Sequence, residues 1–153
     1  MDIGFPTRKK LTHHIPPWVD ERSFYFVTIC TEPRGQNHLC NKNVGDVILK
    51  AASFYHEQCK WHCRLMLLMP DHLHGIIAFA RDLGMRSLLA SWKRYLTKQT
   101  AVQWQSGFFD HRLRDRFQVE EKMSYVLNNP VRAGLCKDVN DWPFVYRPMD
   151  RWL

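Results

Sequence analysis

Two strongly apolar runs, Cys63 to Met69 and His72 to Ala80, are separated only by Pro70-Asp71. Proline presets one turn dihedral and aspartate tolerates turn geometry, so the pair suits a tight reversal between two strands. So short a connection permits only antiparallel pairing. The two runs are therefore expected as the second and third strands of a sheet. The segment Ser23 to Thr31, SFYFVTICT, is β-branched and aromatic throughout, and its continuity predicts a central first strand buried on both faces.

Two helical patterns flank this hairpin. Asn43 to Lys60 places Val44, Val47, Ile48, Ala51, Ala52 and Tyr55 at three- and four-residue spacing, with Asn43 as the expected N-cap. Arg86 to Gln103 carries Leu88, Leu89, Trp92, Leu96 and Val102 on a helical period, and its other face holds Lys93, Arg94 and Lys98. The aromatic and basic stretch Trp104 to Arg116 is expected to contain a short strand around Arg112 to Arg114. Gln118 to Asn128 reads as a third helix ended by Pro130, because the residue before a proline is pushed out of helical geometry.

The order strand, helix, strand, strand, helix, strand predicts an α+β fold of the ferredoxin-like, split βαβ plan. That plan has an antiparallel sheet with helices on one face, here followed by a C-terminal helix carrying Tyr125. Residues 1–153 are read as one domain, with 1–22 as a candidate mobile arm and Val131 to Leu153 as an irregular tail rich in aromatic residues.

Composition narrows the partners. The chain has 153 residues, 45% of them hydrophobic, enough for a real core. Lys plus Arg number 22 against 15 Asp plus Glu, a formal charge of +7, so a polyanion is the natural partner. No apolar run reaches the roughly 18 residues of a spanning helix, and the start MDIGFPTRKKL lacks an apolar signal core, so a soluble cytoplasmic protein without membrane contact is expected. The five cysteines, Cys30, Cys40, Cys59, Cys63 and Cys136, are read as reduced thiols. His56, Cys59, His62 and Cys63 are all zinc-ligand types, but no second half-site elsewhere closes a tetrahedron, and they are read as structural.

The chemistry concentrates in two short motifs. In Met69-Pro70-Asp71-His72-Leu73-His74, residues two apart on a strand share a face, so His72 and His74 project together while Leu73 anchors the opposite side. Two such histidines are also compatible with an ordinary strand edge, so the pair needs a partner. In Ser124-Tyr125-Val126-Leu127-Asn128-Asn129-Pro130, Tyr125 and Asn129 are four apart and share a helix face. If that face meets the histidines, His72, His74 and the Asn129 side-chain oxygen make three metal ligands with Tyr125 alongside. Nitrogen and oxygen donors without thiolate suit Mg²⁺ or Mn²⁺ better than structural zinc. A divalent ion would polarise a phosphodiester against which a phenol with an ordinary pKa near 10 is otherwise a weak nucleophile. A phosphotyrosine bond would conserve the energy of the cut strand for rejoining.

At these residues the sequence resembles the HUH single-tyrosine transposases, and among them the REP-associated tyrosine transposases. The likeness rests on MPDHLHGII, WQSGFFDHRLRD, SYVLNNPVRAGL and DWPF, spread over residues 23 to 146. It implies His72 and His74 as the metal pair, Asn129 as third ligand and Tyr125 as nucleophile. It further implies a 5′-phosphotyrosine intermediate with a free 3′-OH, and recognition of a palindromic single-stranded DNA hairpin with an adjacent guide tetranucleotide. Phe109 stands where relatives often have tyrosine, leaving Tyr125 as the candidate of that region. Insertion-sequence relatives act as dimers that exchange the tyrosine helix, whereas likeness to the REP-associated members favours a monomer and leaves a homodimer open.

Lys93, Arg94, Arg112, Arg114 and Arg132 are the expected DNA-binding residues, and Trp92, Trp104, Phe108, Phe109 and Trp142 the candidate stacking surfaces, although most of these aromatics also fit a core. The cluster Arg8-Lys9-Lys10 with His13-His14 is a candidate mobile arm, either closing on a hairpin or simply disordered. Two other functions remain open on the sequence: a domesticated hairpin-binding module without turnover, and a small metal hydrolase of another phosphodiester.

Overall fold

Apolar sequence that runs without a polar break has to be covered on both sides, and the structure, a computed structural model, describes how residues 23–148 achieve this. The candidate arm over 1–22, including Arg8, Lys9, Lys10, His13 and His14, and the end of the tail from residue 149 with Trp152, lie outside the described residues. Element order is β1 (Phe24–Cys30), α1 (Lys42–Glu57), β2 (Trp61–Met69), β3 (His72–Phe79), α2 (Met85–Thr100), β4 (Phe109–Leu113), α3 (Arg116–Leu127), α4 (Asn129–Arg132) and β5 (Val145–Tyr146). The five strands form one antiparallel sheet in the order β4-β1-β3-β2-β5. The expected hairpin forms with Met69 opposite His72, so that Pro70-Asp71 is the turn.

Strand alternation divides the core between two faces. Tyr25, Val27, Ile29, Leu73, Ile77 and Phe79 pack with Ile48 and Ala52 of α1 and with Leu88, Leu89, Trp92 and Leu96 of α2. Phe24, Phe26, Leu65, Leu67, Ile76 and Leu113 pack with Val119, Met123 and Val126 of α3. The tyrosine-bearing helix thus covers the face that α1 and α2 leave open. A register shift between Cys63 and Leu65 turns Trp61 and Cys63 toward α1 and α2 but Leu65, Leu67 and Met69 toward α3. This bulge is why β2 shows no single two-residue period.

Four boundaries depart from expectation. Asn41, not Asn43, caps α1: its side-chain oxygen accepts the Val44 N–H at 2.9 Å. The fourth strand begins at Phe109, where pairing with Thr28 of β1 starts, and not near Arg112. Pro130 does not end helical geometry; it occupies the first turn of α4, where its missing N–H has no partner to lose. The tail is not irregular throughout, because β5 adds an edge strand to β2. The Phe144 carbonyl accepts the Leu68 N–H at 2.9 Å, and Trp142 Nε1 donates to the Leu68 carbonyl at 3.0 Å, so the DWPF segment saturates an otherwise open sheet edge. Phe144 also lies against Gly45 of α1, where an added Cβ would come within 2.9 Å of its ring. No helix among the described residues is long and apolar enough to cross a membrane.

Helix α3 carries few apolar contacts for its length and depends on its start. Asp115 accepts the Gln118 N–H at 2.9 Å, and the Gln118 side-chain oxygen accepts the Arg114 N–H at 2.7 Å, a reciprocal arrangement close to a capping box. Asp115→Ala is expected to lower stability by about 1 kcal/mol, read as a reduced urea midpoint with an unchanged slope.

Candidate active site

His72 and His74 leave β3 on the α3 side of the sheet, with their ring centroids 4.9 Å apart, while Leu73 is fully buried on the other side. His74 stacks on Phe26 at 5.1 Å, and its Nδ1 lies 2.9 Å from the hydroxyl of Thr28, the residue directly opposite it on β1. Burial pushes its pKa down to about 3, and the charges of His72, Lys122 and Arg132 push the same way, so this imidazole is neutral at ordinary pH. His72 is half-buried, and its Nδ1–H donates to Asp71 Oδ1 at 2.9 Å. Burial alone would raise the Asp71 carboxyl. Hydrogen bonds from Arg34, His72 and the Gly35 amide outweigh it and hold the group well below the usual carboxylate range.

Tyr125 lies on the exposed side of α3, with 52% of its surface open. The Arg132 guanidinium sits over its ring at 4.2 Å and the Lys122 ammonium at 5.0 Å. Lys122 is also 4.7 Å from the ring of Phe26, on which His74 stacks, so one lysine links the tyrosine to the histidine floor. Arg132 donates to the Tyr125 carbonyl at 2.9 Å and to the Asn129 side-chain oxygen. The Tyr125–Asn129 face and the histidine face therefore share one side of the sheet, with Asn129 held by Arg132. Among the described residues no three His, Cys, Asp or Glu side chains gather as a metal site. His56, Cys59, His62 and Cys63 do not converge as a group of metal-ligand side chains either: the Cys63 N–H donates to His56 Nδ1 at 3.1 Å, and Cys59 is exposed.

The expected DNA-binding residues divide between the two layers. Arg132 is beside Tyr125, and Arg114 is exposed at the head of α3. Arg94 belongs to α2, on the opposite layer. Arg112 faces that layer too, because it pairs with Tyr25, whose side chain packs with α1 and α2. Lys93 is engaged elsewhere: its ammonium donates to the carbonyls of Gln105 and Gly107 at 3.0 and 2.9 Å. Trp92 is wholly buried and is not a stacking surface, whereas Trp104 is half-buried against the same core. Sequence reasoning missed Lys122, whose position three residues before Tyr125 was a usable signal. It missed Thr28, whose role depends on strand register, and Asp71, which reads as a turn residue.

A histidine pair on an antiparallel sheet, overlaid by a tyrosine-bearing helix, is the arrangement that the sequence resemblance implied. No protein-family model matches the chain. A Haemophilus influenzae protein provisionally named a REP-associated tyrosine transposase is 25% identical over 141 residues, covering 78% of this chain and 77% of that one. The REP-associated tyrosine transposase of Escherichia coli K12 is 30% identical over 81 residues, 51% of this chain and 49% of that protein. A solved structure of a REP-associated tyrosine transposase bound to a REP hairpin superposes with a TM-score of 0.69 at 21% identity, covering 88% of this chain and 82% of that one, and shows a common fold. The resemblance to REP-associated tyrosine transposases and the α+β fold class are thereby borne out.

The neutral His74 has a consequence for the metal-free protein. An unfolded histidine binds a proton near pH 6.5, whereas folded His74 does so only near 3, so falling pH favours the unfolded chain between those values. His74 is expected to contribute a stability loss approaching ~1.4 kcal/mol per pH unit below 6.5. Comparing urea unfolding of wild type and His74→Gln from neutral to mildly acid pH checks this: the variant should show the shallower slope.

Proposed function

We propose that this chain is a metal-dependent enzyme that nicks and rejoins single-stranded DNA beside hairpin, REP-like sequences through a covalent bond to Tyr125. The observation that carries the reading is the Lys122 ammonium, which lies over the Tyr125 ring and over the Phe26 ring beneath His74. A nucleophile and a pair of nitrogen ligands thus share one face, with cations between them. The names of the relatives and the REP hairpin bound by the structural neighbour supply the substrate class.

The donors fit a hard or borderline divalent cation such as Mg²⁺ or Mn²⁺: two imidazoles side by side, one held neutral, with the Asn129 amide oxygen as third ligand. Asn129 would have to exchange its bond from Arg132 for that role. When bound, the cation would polarise the scissile phosphate and offset its charge. Tyr125 Oη gives up its phenolic proton and attacks phosphorus, the bond to the 3′ oxygen breaks, and that oxygen takes up a proton to leave as a free 3′-OH. The 5′ phosphate remains on the tyrosine. Attack by a 3′-OH on the phosphotyrosine reverses the step and joins strands without an external energy source. Arg132 and Lys122 place positive charge where the phosphate must sit. Because α3 lies on its own sheet, one chain carries the full set of residues, which supports a monomeric enzyme.

The test is an incubation of the protein with Mn²⁺ or Mg²⁺ and end-labelled single-stranded hairpins, followed by denaturing gels. Label should move to protein mass with wild type and not with Tyr125→Phe, and Arg132→Ala should reduce the yield at least ten-fold while Arg94→Ala leaves it within two-fold. Cleaved product without an adduct would replace the reading by a hydrolase. Hairpin binding with neither product would replace it by a binding module without turnover.

A further inference from the structure

The β2–β3 turn is fastened more heavily than a two-residue reversal needs. The Thr31 N–H and hydroxyl both donate to the Asp71 carbonyl, at 3.0 and 2.9 Å, and Thr31 is fully buried. The N–H groups of His38 and Leu39 converge on the Pro70 carbonyl. The Asp71 side chain is divided between two tasks. Its Oδ2 accepts from Arg34 Nε at 2.9 Å and from the Gly35 amide at 2.8 Å, while its Oδ1 accepts from His72 Nδ1 at 2.9 Å. Arg34 Nη2 adds a longer contact to Oδ1 at 3.4 Å.

A turn carboxylate that only stabilised the loop between β1 and α1 would need Oδ2 alone. The Oδ1 contact does something else. A carboxylate accepts and cannot donate, so the partner nitrogen of His72 must carry the proton. In the neutral ring the second nitrogen, Nε2, then keeps its lone pair. His74 reaches the same condition by a different device, with Nδ1 against the neutral hydroxyl of Thr28. The two imidazoles are thus held by unlike partners, one anionic and one neutral, and the anionic one is clamped from behind.

We propose that Asp71 is the positioning residue of His72: its Oδ1 fixes the imidazole with Nδ1 protonated and aims the Nε2 lone pair at a divalent cation, while Arg34 and the Gly35 amide hold the carboxylate still and Thr31 anchors the backbone carbonyl. This rests on the metal-dependent reading above. It adds a residue that binds neither cation nor DNA, together with an arginine whose function is two steps removed from the chemistry. Partners of this kind orient the ligand ring and strengthen its donor nitrogen.

The experiment uses the full chain with ¹⁵N-labelled histidine. Long-range ¹H–¹⁵N spectra of the metal-free protein read the tautomers of His72 and His74, and Mn²⁺ titration followed by electron paramagnetic resonance reads affinity. Wild type should show His72 protonated on Nδ1. In Asp71→Ala, His72 should shift toward the Nε2–H tautomer and Mn²⁺ affinity should fall by roughly 10- to 100-fold, while the His74 signals stay in place because Thr28 is intact. Asp71→Asn keeps the shape and an accepting oxygen, so it should recover the tautomer and only part of the affinity. Arg34→Ala should weaken Mn²⁺ less than Asp71→Ala. Unchanged tautomer and affinity in Asp71→Ala, with Mn²⁺ bound by wild type, would overturn the positioning role alone. So would a joint displacement of the His72 and His74 signals, which would mark a structural role. Failure of wild type to take up Mn²⁺ would remove the metal reading and this proposal with it.

Discussion

The pairing of β1 with β3 is the constraint on which the rest of the structure depends. It sets Thr28 opposite His74 and Cys30 opposite His72, and so decides which hydroxyl meets which imidazole. Because side chains alternate, a slip of one residue would turn both histidines into the packed layer under α1 and α2 and expose Leu73 in their place. Burial on both faces forbids that slip. Leu73, Ile77 and Phe79 on one side and Ile76 and Ala78 on the other are nearly inaccessible to solvent, so the register that seats the core is the register that exposes the site.

The two faces serve different purposes. The α1–α2 layer is a conventional core, with the buried Trp92 at its centre and even Lys93 occupied in tying down the loop after α2. On the α3 layer Tyr125 is exposed, with Lys122 of α3 and Arg132 of α4 each over its ring. The helix is fastened at its start by Asp115 and Gln118 and along its length by Val119, Met123 and Val126, leaving its other side free of packing duties. The tail, through Trp142 and Phe144, closes the far edge of the same sheet on Leu68.

Electrostatics at the site follow from this layering. His74 is neutral because it is buried among cations, the condition a nitrogen ligand requires, whereas Asp71 is ionised because three donors converge on it. Cations on α3 and α4 face a floor of histidine and phenylalanine. The Asp71 carboxylate is turned to Arg34, Gly35 and His72.

The sequence by itself determined the element order, the hairpin about Pro70-Asp71, the shared side of His72 and His74, and the helix bearing Tyr125, because each depends on local periodicity or on a turn preference that neighbouring residues impose. It also carried the family likeness, which lies in contiguous motifs. Only the tertiary structure decided that α3 lies across the histidine face, that Arg112 points away from it and Lys93 is already engaged, and that Lys122, Thr28 and Asp71 complete the surroundings. Those are matters of strand register and of which layer a helix joins, set by contacts between residues far apart in the chain. A bulge at Cys63–Leu65 and the docking of the DWPF segment on an open edge leave no period in the sequence to read.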